Sequence, residues 1–208
     1  MKFNQWKSQF SLFLTGYPRL RHAIKLTLGL YSYVPYTEAF AKRSFLKNKY
    51  MAHIRGESEY IFASITRFCV ANRPINGYYF EFGCHTGGTM RLAFDYFHHL
   101  FDWKYVAFDS FEGLPEIQAI DKQEIWQKGK LATHEGDFVK ILTKHGMPRN
   151  QLITIKGFYD QSLTNSIRAQ LSPGKAAVIY IDCDLYVSTV PVLEFVRHFF
   201  QRGTIIVF

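Results

Sequence analysis

The sequence predicts a doubly wound α/β fold, in which a mostly parallel, Rossmann-like sheet follows an N-terminal helical appendage. From residue 74 onward, short apolar runs alternate with helical segments, which is typical of strand–helix–strand units. The runs are apolar at successive positions, so both faces of each strand are expected to be covered, as in a parallel sheet. Because crossovers between parallel strands are right-handed, we expect helices on both sides of the sheet.

Five strands and five helices are predicted in this region. The strands are expected at 77–82, 104–109, 152–157, 176–182 and 204–208. The helices are expected at 88–100, about 119–127, 135–145, 162–170 and 187–201. The last apolar run ends with the sequence at Phe208, which would leave an unpaired apolar edge. We therefore expect a sheet that is truncated after strand 5, with its C-terminal strands missing, as in a piece of a longer enzyme.

Residues 1–73 are predicted to be helical and are interpreted as an N-terminal lid or dimerisation segment, ahead of a ligand-binding domain at 74–208. A homo-oligomer formed through these N-terminal helices is one expectation. The third predicted helix, 57–73, has apolar residues at helical spacing. Its apolar face is expected to contain Ile61, Ile65, Phe68 and Cys69.

Most of the positive charge lies in the N-terminal segment. The formal net charge is +8, and residues 1–59 hold 10 Lys and Arg against 3 Asp and Glu. A basic arm can meet nucleic acid, an anionic membrane or an acidic substrate. The basic residues here are not interleaved with a stacking platform or a nucleic-acid motif, so we interpret them as a solvated helix face and expect no nucleic-acid partner.

Cysteine content and hydropathy point to a cytoplasmic protein. The three cysteines are odd in number and form no CxxC pair, which argues against a disulfide framework and for a reducing compartment. No apolar run approaches the roughly 20 residues that a transmembrane helix needs. We therefore expect no transmembrane segment and a cytoplasmic location.

Carboxylates end three of the first four predicted strands. Glu81 stands at the end of strand 1, Asp109 ends strand 2, and Asp182 and Asp184 follow strand 4. The carboxyl ends of parallel strands meet at one edge of the sheet, where ligands bind near the point at which strand order reverses. A lone charge at a buried strand end is costly, so we interpret these carboxylates as functional.

The glycines after strand 1 distinguish two classes of cofactor. A dinucleotide site has the spacing GxGxxG, whereas Gly83, Gly87 and Gly88 form GxxxGG behind Glu81. That carboxylate would repel a pyrophosphate, which disfavours a nicotinamide-dependent oxidoreductase. S-adenosylmethionine carries an ammonium and a sulfonium and fits better. We expect Glu81 beneath its cationic region, the glycine backbone against its methionine moiety, and both ribose hydroxyls on Asp109.

Four motifs, EFGCHTGGTM, AFDSFEGLPE, IKGFYDQSL and YIDCDLYVSTVPVLEFV, occur in this order and resemble the macrocin O-methyltransferase family. These are class I S-adenosylmethionine-dependent enzymes that methylate sugar hydroxyls. The resemblance covers residues 76–208. It implies O-methylation of a hydroxyl on a small polar substrate, a sugar or a glycosylated metabolite. A non-catalytic protein that binds S-adenosylmethionine is the alternative.

The resemblance also implies a set of cofactor contacts. The methionine side would be lined by Glu81, Gly83, Thr86 and Gly87. Asp109 would hold the ribose. The adenosine would be bordered by Ser110, Phe111, Gly157 and Phe158. Two structural interpretations stay open, since the glycines also fit a tight strand–helix turn and Phe111 also fits a core position.

A magnesium site is implied by the same resemblance. In this family, as in the similar catechol O-methyltransferases, the acid ending strand 4 ligates Mg²⁺ together with an acid pair after strand 5. Asp182 matches that acid and would hold the metal that positions the reacting hydroxyl. Asp184 is either a second ligand or the cap of the following helix. The acid pair has no counterpart before Phe208, so the predicted metal site is incomplete.

Two further questions are left open by the sequence. The general base is not assigned, and His85, His134 and His145 are its histidine candidates. The resemblance implies the strand order of class I methyltransferases, in which strands 1 and 4 are neighbours, so Cys84 and Cys183 are expected to approach each other. They are interpreted either as two small residues packed beside the cofactor or as a disulfide pair.

Overall fold

The computed structural model describes residues 57–72 and 75–208, so the first two predicted helices and most of the basic segment lie outside this part of the chain. In the described part, five parallel strands form one sheet in the order β3-β2-β1-β4-β5. The strands are β1 (Tyr78–Phe82), β2 (Lys104–Asp109), β3 (Leu152–Lys156), β4 (Ala176–Ile181) and β5 (Ile205–Val207). The doubly wound, parallel α/β fold predicted from the sequence is confirmed.

Six α-helices connect or precede these strands in the described residues. They are α1 (Glu57–Ala71), α2 (Gly88–Phe97), α3 (Glu135–His145), α4 (Tyr159–Ser162), α5 (Asn165–Leu171) and α6 (Tyr186–Val196). Short 3-10 turns lie at Ala119–Asp121, Arg149–Gln151 and Arg197–Phe199. None of the described helices is both long and apolar enough to cross a membrane.

Both faces of the sheet are covered by separate apolar clusters. On β1, Phe80 and Phe82 point to the cluster that includes residues of α5 and α6, while Tyr79 points to the cluster built with α1, α2 and α3. Aromatic rings fill much of this space, as in the stacked pair Phe82–Phe108, whose ring centroids are 4.3 Å apart. Phenylalanine side chains therefore supply much of the core on both faces of the sheet.

Helix α1 packs into the same core as the sheet, although its buried face differs from the predicted one. Phe62, Ile65 and Cys69 are buried at the spacing of one helical face. Phe68, predicted on that face, is 43% exposed and is therefore a wrong assignment. The core of the sheet domain thus includes residues that precede position 74.

Two predicted helices differ in the structure. The helix expected at 119–127 is reduced to the turn Ala119–Asp121, because Ile120 and Ile125 are 67% and 55% exposed and supply no buried face. The helix expected at 162–170 is replaced by α4 and α5. The second of these starts afresh at Thr164, whose hydroxyl accepts a hydrogen bond from the backbone N–H of Ile167 at 3.3 Å.

The point where strand order reverses lies between β1 and β4. Strand β1 pairs with β2 on one side and with β4 on the other, so that Phe82 lies beside both Phe108 and Ile181. At this edge Gly83 and Asp182 follow β1 and β4, and Asp109 is the last residue of β2. This register brings the ends of β1, β2 and β4 together, as the sequence predicted for Asp109 and Asp182.

Candidate active site

A cavity of about 560 Å³ opens at the carboxyl ends of β1 to β4, at the reversal point of the sheet. This volume is within the range of pockets that bind small molecules and cofactors. Seven of the predicted site residues line it: Gly83, Asp109, Ser110, Gly157, Phe158, Asp182 and Asp184. The structure therefore brings these seven predicted residues together at one cavity.

Gly83 lets the ends of β1 and β4 approach closely. Its φ is +84°, and a Cβ atom at this position would lie 2.2 Å from the backbone oxygen of Asp182. Its N–H donates to the carbonyl oxygen of Phe108 at 3.1 Å, and the N–H of Asp182 donates to that of Phe82 at 2.9 Å. The absence of a side chain at Gly83 thus sets the distance between the two strand ends that carry the site.

The carboxylate of Asp109 links the loop after β1 to the loop after β2 by hydrogen bonds. Its Oδ2 accepts hydrogen bonds from the backbone N–H of Cys84 at 2.7 Å and of His85 at 3.1 Å. Its Oδ1 accepts one from the N–H of Phe111 at 2.7 Å. A carboxylate offers about four acceptor positions, so about one is left for a ligand. The binding of the ribose hydroxyls by Asp109 stays a prediction.

Glu81 is buried beneath the cavity and does not line it. Its side chain faces the same side of β1 as Tyr79, whose hydroxyl donates to Oε2 at 2.7 Å, and the residue is 1% exposed. Oε1 is buried without a well-formed hydrogen bond. Burial raises the pKa of Glu81 to about 8, although the Tyr79 hydrogen bond opposes this shift. Burial therefore favours the uncharged form of this carboxyl, and the role of Glu81 beneath the cationic region of the cofactor stays a prediction.

Three other predicted contacts lie away from the cavity. Gly87 is buried against Phe138 and Leu142 of α3, where a Cβ would lie 3.0 Å from a Phe138 ring carbon, and its φ is +70°. Phe111 is buried and its ring packs on Phe138, with ring centroids 5.3 Å apart. The side chain of Thr86 is exposed, and Thr86 is not among the lining residues. Gly87 and Phe111 therefore take the packing roles that the sequence left open.

Asp182 and Asp184 face the cavity from the end of β4. Burial raises the pKa of the Asp182 carboxyl. Burial, followed by the charge of Asp182, also raises the pKa of Asp184, while His85 lowers it. The two carboxylates and His85 thus share one region of the cavity wall.

These carboxylates do not make a complete metal site with the residues around them. Within residues 57–72 and 75–208, no group of three or more His, Cys, Asp or Glu side chains is arranged to hold a metal ion. Mg²⁺ is usually bound by one or two carboxylates with waters and a substrate oxygen. Among the described residues, Asp182 and Asp184 are the carboxylates that could hold such an ion at the end of β4, and the magnesium site stays a prediction.

Asp184 does not cap the helix that follows it. Helix α6 begins at Tyr186, and the backbone N–H groups of Tyr186 and Val187 donate to the two carboxylate oxygens of Asp121 at 2.7 and 3.2 Å. Asp121 comes from the loop after β2 and is 8% exposed. Since it lies 65 residues before Tyr186, no local sequence signal identifies it as the cap.

The loop after β2 forms one wall of the cavity. Two backbone hydrogen bonds connect the two ends of this loop. The N–H of Leu114 donates to the carbonyl oxygen of Lys130, and the N–H of Gly129 donates to the carbonyl oxygen of Leu114, both at 2.9 Å. The motif AFDSFEGLPE pointed to this loop, but several lining residues of the cavity were not predicted. They include Gly113, Leu114, Pro115, Glu116, Gln118, Lys128, Tyr159, Asp160, Gln161, Leu185 and Ser188.

The structure shows the positions of the cysteines and histidines whose roles the sequence did not assign. Cys84 and Cys183 are free thiols, and their sulfurs lie against the backbone oxygens of Phe108 and Phe82. In the structure the two residues therefore pack as separate thiols, and their position beside the cofactor stays a prediction. Of the three candidate bases, His85 lines the cavity, whereas the ring of His145 lies 2.9 Å from Asp95.

Comparison with solved structures shows the same fold in methyltransferases. The calicheamicin methyltransferase CalS11 superposes with a TM-score of 0.59 at 20% identity, over 85% of this chain and 80% of that chain. The O-methyltransferase NovP gives 0.55 at 23% identity, over 68% of this chain and 59% of NovP. An apo structure of CalS11, described as a TDP-rhamnose 3'-O-methyltransferase, gives 0.50 at 19% identity, with coverages of 85% and 80%.

The sequence comparisons are more specific. No curated protein matches this chain significantly. The profile of the macrocin O-methyltransferase (TylF) family matches residues 63–208, which include all five strands and every residue lining the cavity. Because this match covers well over half of the sequence, the chain belongs to the macrocin O-methyltransferase family.

Proposed function

We propose that this protein transfers the methyl group of S-adenosylmethionine to a hydroxyl of a small polar substrate, a sugar or a sugar-bearing metabolite. Membership of the family makes the protein a methyltransferase. The observation that most supports this cofactor is the convergence of Asp109, Asp182 and Asp184 on one cavity at the reversal point of the sheet. A ligand with an ammonium and a sulfonium suits such a wall.

The cofactor would be held by the residues on the β1, β2 and β3 side of the cavity. Gly83 lets a ligand approach the backbone, and Asp109 has about one acceptor position left for a ribose hydroxyl. Ser110, Gly157 and Phe158 border the same space. When bound, the cofactor supplies a methyl group on a positively charged sulfur.

The acceptor hydroxyl must lose a proton during the transfer, and Asp182 is proposed to take it. Asp182 lines the cavity, and burial raises its pKa, which makes the carboxylate a better proton acceptor. Asp184 lies close enough for its pKa to respond to the charge of Asp182. In this proposal Asp184 holds the acceptor by a hydrogen bond, and the chain mainly contributes positioning and electrostatics.

A sugar acceptor is supported by the family and by polar side chains in the cavity. CalS11 is described as acting on TDP-rhamnose, and its fold matches this one. Gln118, Gln161 and Ser188 line the cavity and can bind hydroxyl groups. A cytoplasmic location and a homo-oligomer formed through the N-terminal helices remain predictions.

Magnesium assistance also remains a prediction, and the proposed proton transfer does not depend on it. Activity measured with added Mg²⁺ and with a chelator decides this point. If a chelator abolishes methyl transfer, a divalent metal takes part, and Asp182 and Asp184 are its proposed ligands at this cavity.

The cofactor is tested by calorimetry of the protein with S-adenosylhomocysteine and with NAD. We expect S-adenosylhomocysteine to bind and NAD not to bind. Binding of NAD alone would overturn the proposal. Methyl transfer from labelled S-adenosylmethionine to a panel of hydroxylated compounds then separates an enzyme from a non-catalytic cofactor-binding protein.

A further inference from the structure

Two parts of the cavity wall come from segments that are far apart in the sequence. One part belongs to residues 113–130 of the loop after β2 and includes Glu116 and Gln118. The other part belongs to the end of β4 and the first turn of α6 and includes Asp182 and Ser188. Residues 113–130 contain no strand, so pairing within the sheet does not hold this loop against α6. Contacts outside the sheet must therefore set the distance between the two parts.

The loop itself supplies few such contacts. Ile120 and Ile125 are largely exposed, so they do not anchor the loop in the core. The ion pair between Lys128 and Glu116 joins two exposed side chains of the same loop. An exposed pair of this kind contributes little to stability, and this one does not reach the rest of the protein.

Asp121 connects the loop to the other part of the wall. Within residues 113–130 it is the only buried residue. Its two carboxylate oxygens accept hydrogen bonds from the backbone N–H groups of Tyr186 and Val187, at 2.7 and 3.2 Å. Among the described residues, no other hydrogen bond joins positions 114–130 to the remainder of the chain. A buried carboxylate therefore holds the middle of an otherwise exposed loop.

The same contact orders the start of α6. The N-cap position of this helix is Leu185, which has no side-chain acceptor, so the first N–H groups depend on Asp121. Val187 and Ser188 of this first turn line the cavity, and Asp184 lies directly before it. A change at Asp121 would therefore disturb both parts of the wall at once.

We infer that Asp121 is a positioning residue for the proposed methyl transfer, on which this inference rests. It fixes the width of the cavity between the loop after β2 and the start of α6. Gln118, one of the side chains proposed to bind the acceptor, depends directly on this contact, because its carbonyl oxygen accepts from the N–H of Asp121 at 3.0 Å. Loss of the carboxylate should therefore weaken binding of the acceptor.

The proposed proton acceptor does not depend on the same contact. The N–H of Asp182 donates to the carbonyl oxygen of Phe82 at 2.9 Å, at the end of the β1–β4 pairing. This bond lies within the sheet and stays in place when Asp121 is substituted. The inference thus predicts a change in KM for the acceptor with little change in kcat.

Hydrogen exchange of the full chain tests the contact without any ligand. In Asp121→Ala, the N–H groups of Tyr186 and Val187 lose their acceptor, and the loop can open locally. We expect peptides covering 114–129 and 186–190 to exchange at least about tenfold faster than in the wild type, since two hydrogen bonds to a carboxylate are lost. Peptides covering β1 and β2 should exchange at the wild-type rate.

The matched control is another helix cap that lies away from the cavity. Thr164 caps α5 by accepting from the N–H of Ile167 at 3.3 Å, and no residue of α5 lines the cavity. Thr164→Ala should speed exchange in α5 and leave the loop after β2 unchanged. This comparison separates a local effect of Asp121 from a general loss of stability.

Steady-state kinetics test the positioning role. The acceptor is the compound of the hydroxylated panel that the wild type methylates fastest. For Asp121→Ala we expect its KM to rise at least about tenfold, because binding must then order the loop, and kcat to stay within about threefold. Asp121→Asn keeps one acceptor oxygen and should recover part of the loss. Thr164→Ala should change neither KM nor kcat.

Each outcome decides the inference. Wild-type exchange of the loop in Asp121→Ala would overturn it, as would an unchanged KM or a fall in kcat at constant KM. If Asp121→Ala does not fold, Asp121→Asn is compared in its place, and smaller changes in the same direction are expected. Failure of the wild type to bind S-adenosylhomocysteine would instead refute the proposed function, and the exchange experiment would still show whether Asp121 holds the loop.

Discussion

The hydroxyl of Tyr79 donates a 2.7 Å hydrogen bond to Oε2 of Glu81 on the same face of β1, and both residues are buried. The pKa of Glu81 is raised from an ordinary 4.5 to about 8, chiefly by burial. A folded state with a raised carboxyl pKa binds a proton that the unfolded state releases between these two values. The contribution of Glu81 to the free energy of unfolding is therefore fully present below pH 4.5 and is lost as the pH rises towards 8.

The first prediction is that Glu81→Gln removes this pH dependence. Glutamine resembles the protonated side chain, so the variant should gain stability relative to the wild type as the pH rises from about 5 to about 8, by roughly 1.4 kcal/mol per unit of pKa difference. Denaturant unfolding at several pH values measures the gain. Tyr79→Phe is the control for the hydrogen bond alone. A wild type and variant with parallel pH profiles would show that Glu81 is ionised in the folded protein.

A second prediction concerns the three N–H groups that Asp109 binds. Asp109→Ala leaves these donors without their acceptor, so we expect a loss of about 2–4 kcal/mol in the free energy of unfolding. Binding of S-adenosylhomocysteine should be lost as well, because the glycine loop is no longer held. The neighbouring Glu112 makes only a surface ion pair with Lys156, so Glu112→Gln should cost less than about 1 kcal/mol. Equal effects of the two substitutions would contradict this assignment.

Close approach at Gly83 gives a third prediction. Gly83→Ala places a Cβ 2.2 Å from the oxygen of Asp182 in a backbone with φ of +84°, so the strand ends must move apart. We expect a loss of more than about 3 kcal/mol in the free energy of unfolding, since both overpacking and backbone strain act together. Gly88 is the matched control, because a Cβ there meets no atom within 4 Å. Gly88→Ala should be neutral or stabilising by about 0.5–1 kcal/mol.

Thiol reactivity gives a fourth prediction. All three cysteines are free, and burial raises the pKa of Cys69 to about 11, of Cys183 to about 12, and of Cys84 well above its ordinary value. Thiolates are the reactive form, so the native protein should react slowly with a disulfide reagent at neutral pH. Three thiols should titrate after unfolding without a reductant. A count of one would reveal a disulfide between two of them.

The fifth prediction separates proton transfer from cofactor binding. Asp182→Asn removes the proposed base, so methyl transfer to an acceptor found in the panel should fall about 10²–10⁴-fold. Affinity for S-adenosylhomocysteine should change far less, since the cofactor is proposed to bind on the β1, β2 and β3 side. Asp184→Asn should mainly raise the KM for the acceptor. Full activity of Asp182→Asn would move the role of base to another group, with His85 as the next candidate.

The parts of this structure that follow from local patterns were predicted well. Strand β2 and helix α3 match their expected bounds, because β2 is a continuous apolar run that is buried on both faces and α3 buries Phe138 and Leu142 one turn apart. The strand ends then placed Gly83, Asp109, Gly157 and Asp182 at one cavity. The tight turn at Gly83 and the register of the parallel strands each depend on a few residues that can be recognised in the sequence.

The parts that depend on long-range contacts were missed. Asp121 caps a helix that begins 65 residues later, and nothing near Asp121 in the sequence records that pairing. The charge state of Glu81 depends on how completely the surrounding elements exclude water, which a motif does not report. Phe111 and Gly87 were assigned to the cofactor because they lie in matching motifs, whereas packing against Phe138 of α3 decides their positions.

The bonds from Cys84 and His85 to Asp109 also affect the thermodynamics of ligand binding. Loops that become ordered only when a ligand arrives reduce its affinity by the conformational entropy they lose. Here the loop after β1 is already fixed by 2.7 and 3.1 Å hydrogen bonds within the protein. A ligand that binds in this cavity therefore contacts a loop that is already ordered, and its affinity is little reduced by the entropy of ordering that loop.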